Sequence, residues 1–172
     1  GSAWVGKNRS RIASDASRLA ALLAGDVQMI DAVPPAEIQH LRANANVTLW
    51  SAPSSRMMYL GLEQESDQVA AITDAAGAPL ARNPLKDVRV RRAISHAINR
   101  AAIVERLLLG AGQAAAQMVP EGMIGYDPEI ATPRFDPGLA RRLLAEAGYP
   151  QGFRITLSAP NNRYVEDSRT AQ

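Results

Sequence analysis

Cysteine is absent from the chain, which removes disulfide scaffolds, thiol catalysis and cysteine-based zinc sites from consideration. Histidine is nearly absent: His40 and His96 are the only two, and no HExxH or comparable ligand spacing connects them. No GxSxG elbow marks a serine nucleophile. The glycines at 110–112 do not open a helix after a strand, so a phosphate cradle has no support. No run of about 18 apolar residues is present, so no helix is built to cross a bilayer, and no signal-like segment opens the sequence. Charge of one sign is also lacking. Lysine and arginine number 19 against 17 acidic residues, a net +2, which is too small to argue for a polyanionic partner. Glu63, Glu65 and Asp67 lie close together, but such a group reads first as solvated surface. No catalytic constellation and no cofactor are expected.

What remains is an ordinary domain's worth of chain. Its 172 residues are 47% apolar, enough for a sizeable core and too apolar for wholesale disorder. Residues 1–11 read as a loose lead-in, with Gly1-Ser2 resembling the remnant of a cleaved tag. Ser14 or Asp15 caps a helix through Ala24, and Gly25 stops it. VQMID (27–31) reads as a short strand and AEIQHLRAN (36–44) as a short helix opening at proline. VTLWSAP (47–53) and RMMYLGLEQ (56–64) read as two strands separated by a turn. Residues 65–86 form a loop or hairpin. GAGQAAAQMVPEGMIGYDPEIATPRFDP (110–137) is rich in glycine and proline and predicts a long, ordered surface loop. Asp136-Pro137 opens a helix that ends at Gly148, FRITLSAP (153–160) is a last strand, and YVEDSRTAQ begins another helix. This order predicts an α/β fold, a mixed sheet flanked by helices.

The most patterned stretch is DVRVRRAISHAINRAAIVERLLLGAG. On a helix over 87–109, Val90, Ala93, Ile94, Ala97, Ile98, Ala101, Val104 and Leu108 form one continuous apolar stripe. Asp87 supplies the N-cap and Gly110 the stop. Two uses are open: a packed helix with a basic edge, or a stand-alone interaction or nucleic-acid-binding module built on its arginines. The segment before it is broken by proline, and the arginines gather at the positive end of the macrodipole. Packing is the expected use.

The order of SRLAALLAGDVQMIDAVPP, MMYLGLEQ, NPLKDVRVRRAISHAINRAAIVERLLLGAG, QMVPEGMIGYDPE and FDPGLARRLLAEAGYPQGFRITLSAPNNRY resembles the family 5 extracellular solute-binding proteins. These are periplasmic receptors of ABC importers for dipeptides, oligopeptides, nickel complexes and glutathione. The resemblance spans residues 12–172 and implies an incomplete lobe of a periplasmic-binding-protein type II-like fold. It also implies non-covalent capture of a solute, peptide first, between two lobes, and delivery to a membrane permease. Such receptors run to several hundred residues. This chain is therefore expected to hold part of the second lobe only, as a single domain over 12–172. Faces left bare by the missing portions predict self-association. No nucleic-acid partner is expected.

The resemblance also suggests site residues. In peptide-binding relatives an arginine after the FRITL-type strand pairs with the ligand carboxylate; here that is Arg163, whose guanidinium offers a bidentate fork. The alternative is an ordinary exposed loop arginine. Asn161 and Tyr164 are candidates to donate to peptide amides. Met57 and Tyr59 lie on a strand that approaches the cleft in relatives, and strand alternation would place both on one face. Core packing is the commoner use of such side chains. Residues 118–126, MVPEGMIGY, form the loop near the lobe boundary in that family and either touch ligand or shape the hinge.

Overall fold

The structure, a computed structural model, describes residues 11–52, 54–160 and 166–172. The chain divides into two compact units, Gly1–Trp50 and Ser51–Gln172.

In the first unit, α1 (Asp15–Ala24) begins where expected. The Ser14 hydroxyl accepts the Ser17 N–H, and Gly25 closes the helix in the left-handed region at φ 82°, its N–H reaching the Leu22 carbonyl. The turn after α1 is tied back by one side chain. Arg18 donates to the Ile12 carbonyl (3.1 Å), the Ala32 carbonyl (3.0 Å) and the Asp15 carboxylate (2.6 Å). Pro35 then opens a 3₁₀ turn (Pro35–Glu37) that runs into α2 (Ile38–Ala43), where Leu41 is buried. VQMID forms no strand; the chain bends at Gln28 and Asp31.

The second unit is organised on two antiparallel helices, α3 (Val88–Ala97) and α5 (Pro137–Glu146). The Asp87 carboxylate caps α3 by accepting the Arg89 N–H, and Asp136 caps α5 by accepting the Leu139 N–H, with Pro137 in the first turn. The small residues Ala93, Ala140 and Ala147 are all buried, which lets two helices approach closely. Ile72, Leu85, Val90 and Ala147 form the core, covered by Leu62, Val69, Leu80, Ile94, Leu144, Tyr149 and Phe153. Tyr149 and Phe153 meet edge to face at 5.3 Å and 72°.

The helix expected over 87–109 is broken. Ile98 adopts an extended conformation (ψ 117°), and the Asn99 side chain accepts the Ala102 N–H to start α4 (Arg100–Ala102). A π turn follows at Ile103–Leu107. Two sequence-near groups explain the break: asparagine is a strong N-cap, and Arg100 donates to the Ser95 carbonyl (2.9 Å) and hydroxyl (3.0 Å), satisfying the end of α3. Of the apolar stripe, Val90 and Ala93 are buried, Ile94, Ile98, Val104 and Leu108 are half-buried, and Ala97 and Ala101 are exposed.

The helices carry a smaller sheet than the sequence suggested. Among the described residues it has two strands, β1 (Ile72–Thr73) and β2 (Arg154–Ile155), antiparallel with Ile72 opposite Ile155 and Thr73 opposite Arg154. The Asp74–Ala78 turn folds the chain back so that Thr73 also bridges Pro79, the hairpin anticipated within 65–86. Residues 47–52 and 56–64 form no strand. A strand exists only where another presents matching N–H and C=O groups, and alternation of side chains cannot create that partner. The final helix is α6 (Asp167–Ala171).

Candidate functional site

Three of the residues singled out from sequence, Asn161, Arg163 and Tyr164, lie outside the described residues. The other two sit on the unpaired segment 54–62. Tyr59 is 69% exposed and Met58 42%, whereas Met57 is half-buried. Packing into a core is thus not what Tyr59 does here. Without a strand, the shared face expected for Met57 and Tyr59 is also lost.

What fixes this segment is its far end. Leu62 packs on the core, and the chain then turns on Glu63, whose carboxylate accepts the N–H groups of Glu65 (2.7 Å) and Ser66 (3.0 Å). Those backbone donors, Ser66 foremost, hold the Glu63 carboxyl below the usual range. The turn is clamped by Asn83, which is buried. Its Nδ2 donates to the carbonyls of Glu63 (2.9 Å) and Ser66 (3.0 Å), its Oδ1 accepts the Leu85 N–H, and its own N–H reaches the Asp67 carbonyl. All its hydrogen-bonding groups near this turn serve the backbone, so one buried residue ties Glu63, Ser66 and Asp67 to the start of the 3₁₀ turn at Pro84–Lys86. Asp67 is held by Lys86, whose ammonium lowers its pKa. Glu63 and Asp67 are thus already engaged, and no cluster of three or more metal-ligating side chains occurs among the described residues.

The loop 118–126 has a defined shape. The Met123 N–H reaches the Pro120 carbonyl (3.2 Å) and the Tyr126 N–H the Met123 carbonyl (3.1 Å). Gly122 and Gly125 occupy φ 84° and 95°, a region that favours glycine. Met118, Met123, Ile124 and Tyr126 are all exposed, Ile124 completely. The ends of this loop are joined through Gln117 and Asp127.

The sequence did not point to a cleft of about 370 Å³ beside β1, whose wall includes Val69, Ile72, Leu80, Arg82 and Pro84. An adjoining hollow of about 250 Å³ is lined by Leu80, Ala81, Arg82, Gly148 and Tyr149. Arg82 borders both, so the surface offers apolar contact next to one guanidinium. No periodicity signals such a place, because its walls come from the hairpin, the 3₁₀ turn Pro84–Lys86 and the end of α5.

Two of the three arginines of α3 are occupied by internal contacts, and Arg92 is exposed. Arg89 pairs with Asp87 (2.6 Å) and donates to the Glu146 carbonyl (2.6 Å). Arg91 donates to the carbonyls of Leu85 (2.8 Å) and Lys86 (3.0 Å). The Arg89 guanidinium pulls the Asp87 carboxyl down to about 2.

Comparison with known proteins gives this arrangement a context. Residues 9–172 match the bacterial extracellular solute-binding proteins, family 5, middle region. The dipeptide-binding protein of Escherichia coli (strain K12) is 32% identical over 149 residues, covering 86% of this chain and 25% of that protein. The glutathione-binding protein GsiB of Shigella flexneri serotype 5b is 30% identical over 152 residues, covering 88% and 26%. Among solved structures, the periplasmic binding protein DppA from Helicobacter pylori, in complex with the peptide STSA, superposes with a TM-score of 0.59 at 23% identity, over 82% of this chain and 24% of that one. The dipeptide-binding protein from Pseudoalteromonas sp. SM9913, in complex with Met-Leu, superposes with a TM-score of 0.54 at 24% identity, over 81% and 24%. The fold is that of part of a periplasmic binding protein, and the chain spans about a quarter of the length of the relatives it matches. Over nearly all of its sequence, the chain belongs to the family 5 bacterial extracellular solute-binding proteins.

Proposed function

We propose that residues 12–172 form a portion of one lobe of a solute receptor that serves an ABC importer, with peptides as the first class of solute. Capture is non-covalent, and the partner of the complete receptor is a membrane permease. Localisation in the periplasm follows from the same reading. The observation that carries it is the family match over residues 9–172, supported by relatives named for dipeptide and glutathione binding. Arg163 is the proposed carboxylate partner, Asn161 and Tyr164 the proposed amide partners, and Tyr59 and Met57 the proposed apolar contacts. Exposure of the Tyr59 ring suits that use. No catalytic step is assigned.

Non-covalent enclosure works by burying most of a small ligand's surface. A chain that supplies one wall is expected to bind with millimolar or weaker affinity and to pair with copies of itself through exposed apolar surface. Native mass spectrometry with and without a pool of di- and tripeptides reads subunit count and adduct together. A dimer or larger species with weak peptide adducts that R163Q abolishes supports the reading. Equal adducts for R163Q remove Arg163 from the site, and a monomer carrying a stoichiometric peptide adduct would mean a complete site and sink the one-wall reading.

The nucleic-acid alternative over 87–109 is weakened by Arg89, Arg91 and Arg100, which all donate to backbone carbonyls of this chain, and is left with the exposed Arg92 and Arg106. Salt-sensitive retention on heparin at physiological ionic strength would revive it.

A further inference from the structure

Gln117 and Asp127 meet through a pair of reciprocal hydrogen bonds. The Gln117 Nε2 donates to the Asp127 carbonyl at 2.7 Å, and the Asp127 N–H donates to the Gln117 Oε1 at 3.0 Å. A side-chain amide here does what a facing residue does in one hydrogen-bonded rung of an antiparallel ladder. The same Asp127 is tied on its other side, its carboxylate accepting the Glu129 N–H at 2.9 Å and its carbonyl the Ile130 N–H at 3.3 Å. Between the two ends lie the exposed Met118, Met123, Ile124 and Tyr126. Apolar side chains turned to water give a loop no reason to keep one shape. The two short turns inside it fix only Pro120–Tyr126.

We infer that Gln117 is the positioning residue of the 118–126 loop: its carboxamide latches the two ends together, so the loop meets any partner already ordered. The latch needs both a donor and an acceptor at one side chain, which the glutamine carboxamide supplies at neutral pH. Its consequence is preorganisation. An ordered loop binds without first losing the conformational freedom that an open one must give up. This inference goes beyond the solute reading and stands whether or not the loop touches peptide.

Amide hydrogen exchange on the whole chain tests it, with Q117A and Q117E compared to the unsubstituted protein at neutral pH and at about pH 4. In Q117A the protection of the Asp127 amide should fall by about ten-fold, while core amides of α3 keep theirs. In Q117E the introduced carboxyl loses its donor when ionised and faces the Asp127 carbonyl, so protection at neutral pH should fall as well. Protonation returns an O–H donor, so at about pH 4 the ratio to the unsubstituted protein should recover at least in part. The charged groups nearest in sequence are Glu121, Asp127 and Glu129, all exposed, and the unsubstituted protein at each pH controls for their titration. Recovery on acidification in Q117E, with none in Q117A, is a result that side-chain bulk at position 117 cannot produce. Unchanged Asp127 protection in Q117A overturns the inference. So does a Q117E ratio that is the same at both pH values, or a fall shared by the α3 core amides.

Discussion

The guanidinium of Arg89 lies 2.6 Å from the carbonyl oxygen of Glu146, fifty-seven residues further along the chain. It thereby joins the first turn of α3 to the last turn of α5. At the opposite end, the Asp136 N–H donates to the His96 carbonyl at 2.9 Å, and His96 Nδ1 lies 2.7 Å from the Arg134 carbonyl. With a carbonyl as its partner, that ring nitrogen carries the proton. The helix pair is pinned at both ends by polar contacts and filled between them by Val90, Ala93, Ala140 and Ala147.

Arg89 is therefore expected to matter through geometry more than through charge. R89K keeps a cation near Asp87 but loses the planar fork that spans Asp87 and Glu146 together. Thermal denaturation should place R89K much nearer to R89A than to the unsubstituted chain. An R89K midpoint equal to the unsubstituted one would show that the α5 contact contributes nothing.

Val88 and Val90 offer a comparison inside a single helix. Val90 is completely buried, and Val88 is 47% exposed. Val90→Ala removes two methyl groups from the core and should destabilise by about 2–3 kcal/mol, counting the space left behind. Val88→Ala should change stability by less than about 0.5 kcal/mol. Urea denaturation of both variants checks the placement of the core, and equal costs would contradict it.

Asn83 donates through Nδ2 to two carbonyl oxygens while buried. N83D replaces that donor group by a carboxyl oxygen directed at acceptors, with a cost of about 2–4 kcal/mol at neutral pH. Burial and facing carbonyls raise the introduced carboxyl's pKa in the folded state. Its protonated form is favoured there, so the penalty is smallest at pH below the unfolded value of about 4 and grows as pH rises through the folded one. A pH series of N83D against the unsubstituted chain should show the difference narrowing on acidification. A difference independent of pH would mean that the clamp is not made as described.

Acid sensitivity of the unsubstituted chain has the opposite sign. Glu63, Asp67, Asp87 and Asp136 all have lowered pKa values, from backbone donors at Glu63 and Asp136, from Lys86 at Asp67 and from Arg89 at Asp87. A depressed folded-state pKa contributes stability above the unfolded pKa and loses it as pH falls through the folded one. For Asp87 that window runs from its model-peptide value of 3.8 down to about 2. The denaturation midpoint should therefore hold down to about pH 4 and drop below it, with D87N flattening part of the fall. A D87N profile parallel to the unsubstituted one would remove Asp87 from the account.

Most helix caps are legible in the sequence, and contacts between distant segments are not. Ser14, Asp87 and Asp136 cap helices, and Gly25 and Gly148 close them at φ 82° and 92°, because a cap depends on residues within one turn. Asn99 was just as local, yet an unbroken apolar stripe outweighed it. The strands read at 27–31, 47–53 and 56–64 failed for another reason, since alternation describes one strand and pairing requires two. At 153–160 only Arg154–Ile155 found a partner. The Gln117 latch and the Asn83 clamp were illegible because each joins segments whose proximity no spacing rule encodes. Arg163, Asn161 and Tyr164 were named through family resemblance, and nothing in their own composition would have selected them.

The doubly pinned helix pair sets a rule for what the chain between α3 and α5 is free to become. Neither anchor takes a hydrogen-bonding group from residues 98–133: one joins Arg89 to Glu146, the other His96 to Arg134 and Asp136. For a flexible insertion, each doubling of length costs only about 0.6 kcal/mol in closure entropy. The pair thus acts as a fixed mounting, and the stretch hung from it is a cassette. Variation in that cassette can alter what the molecule touches while the mounting stays the same.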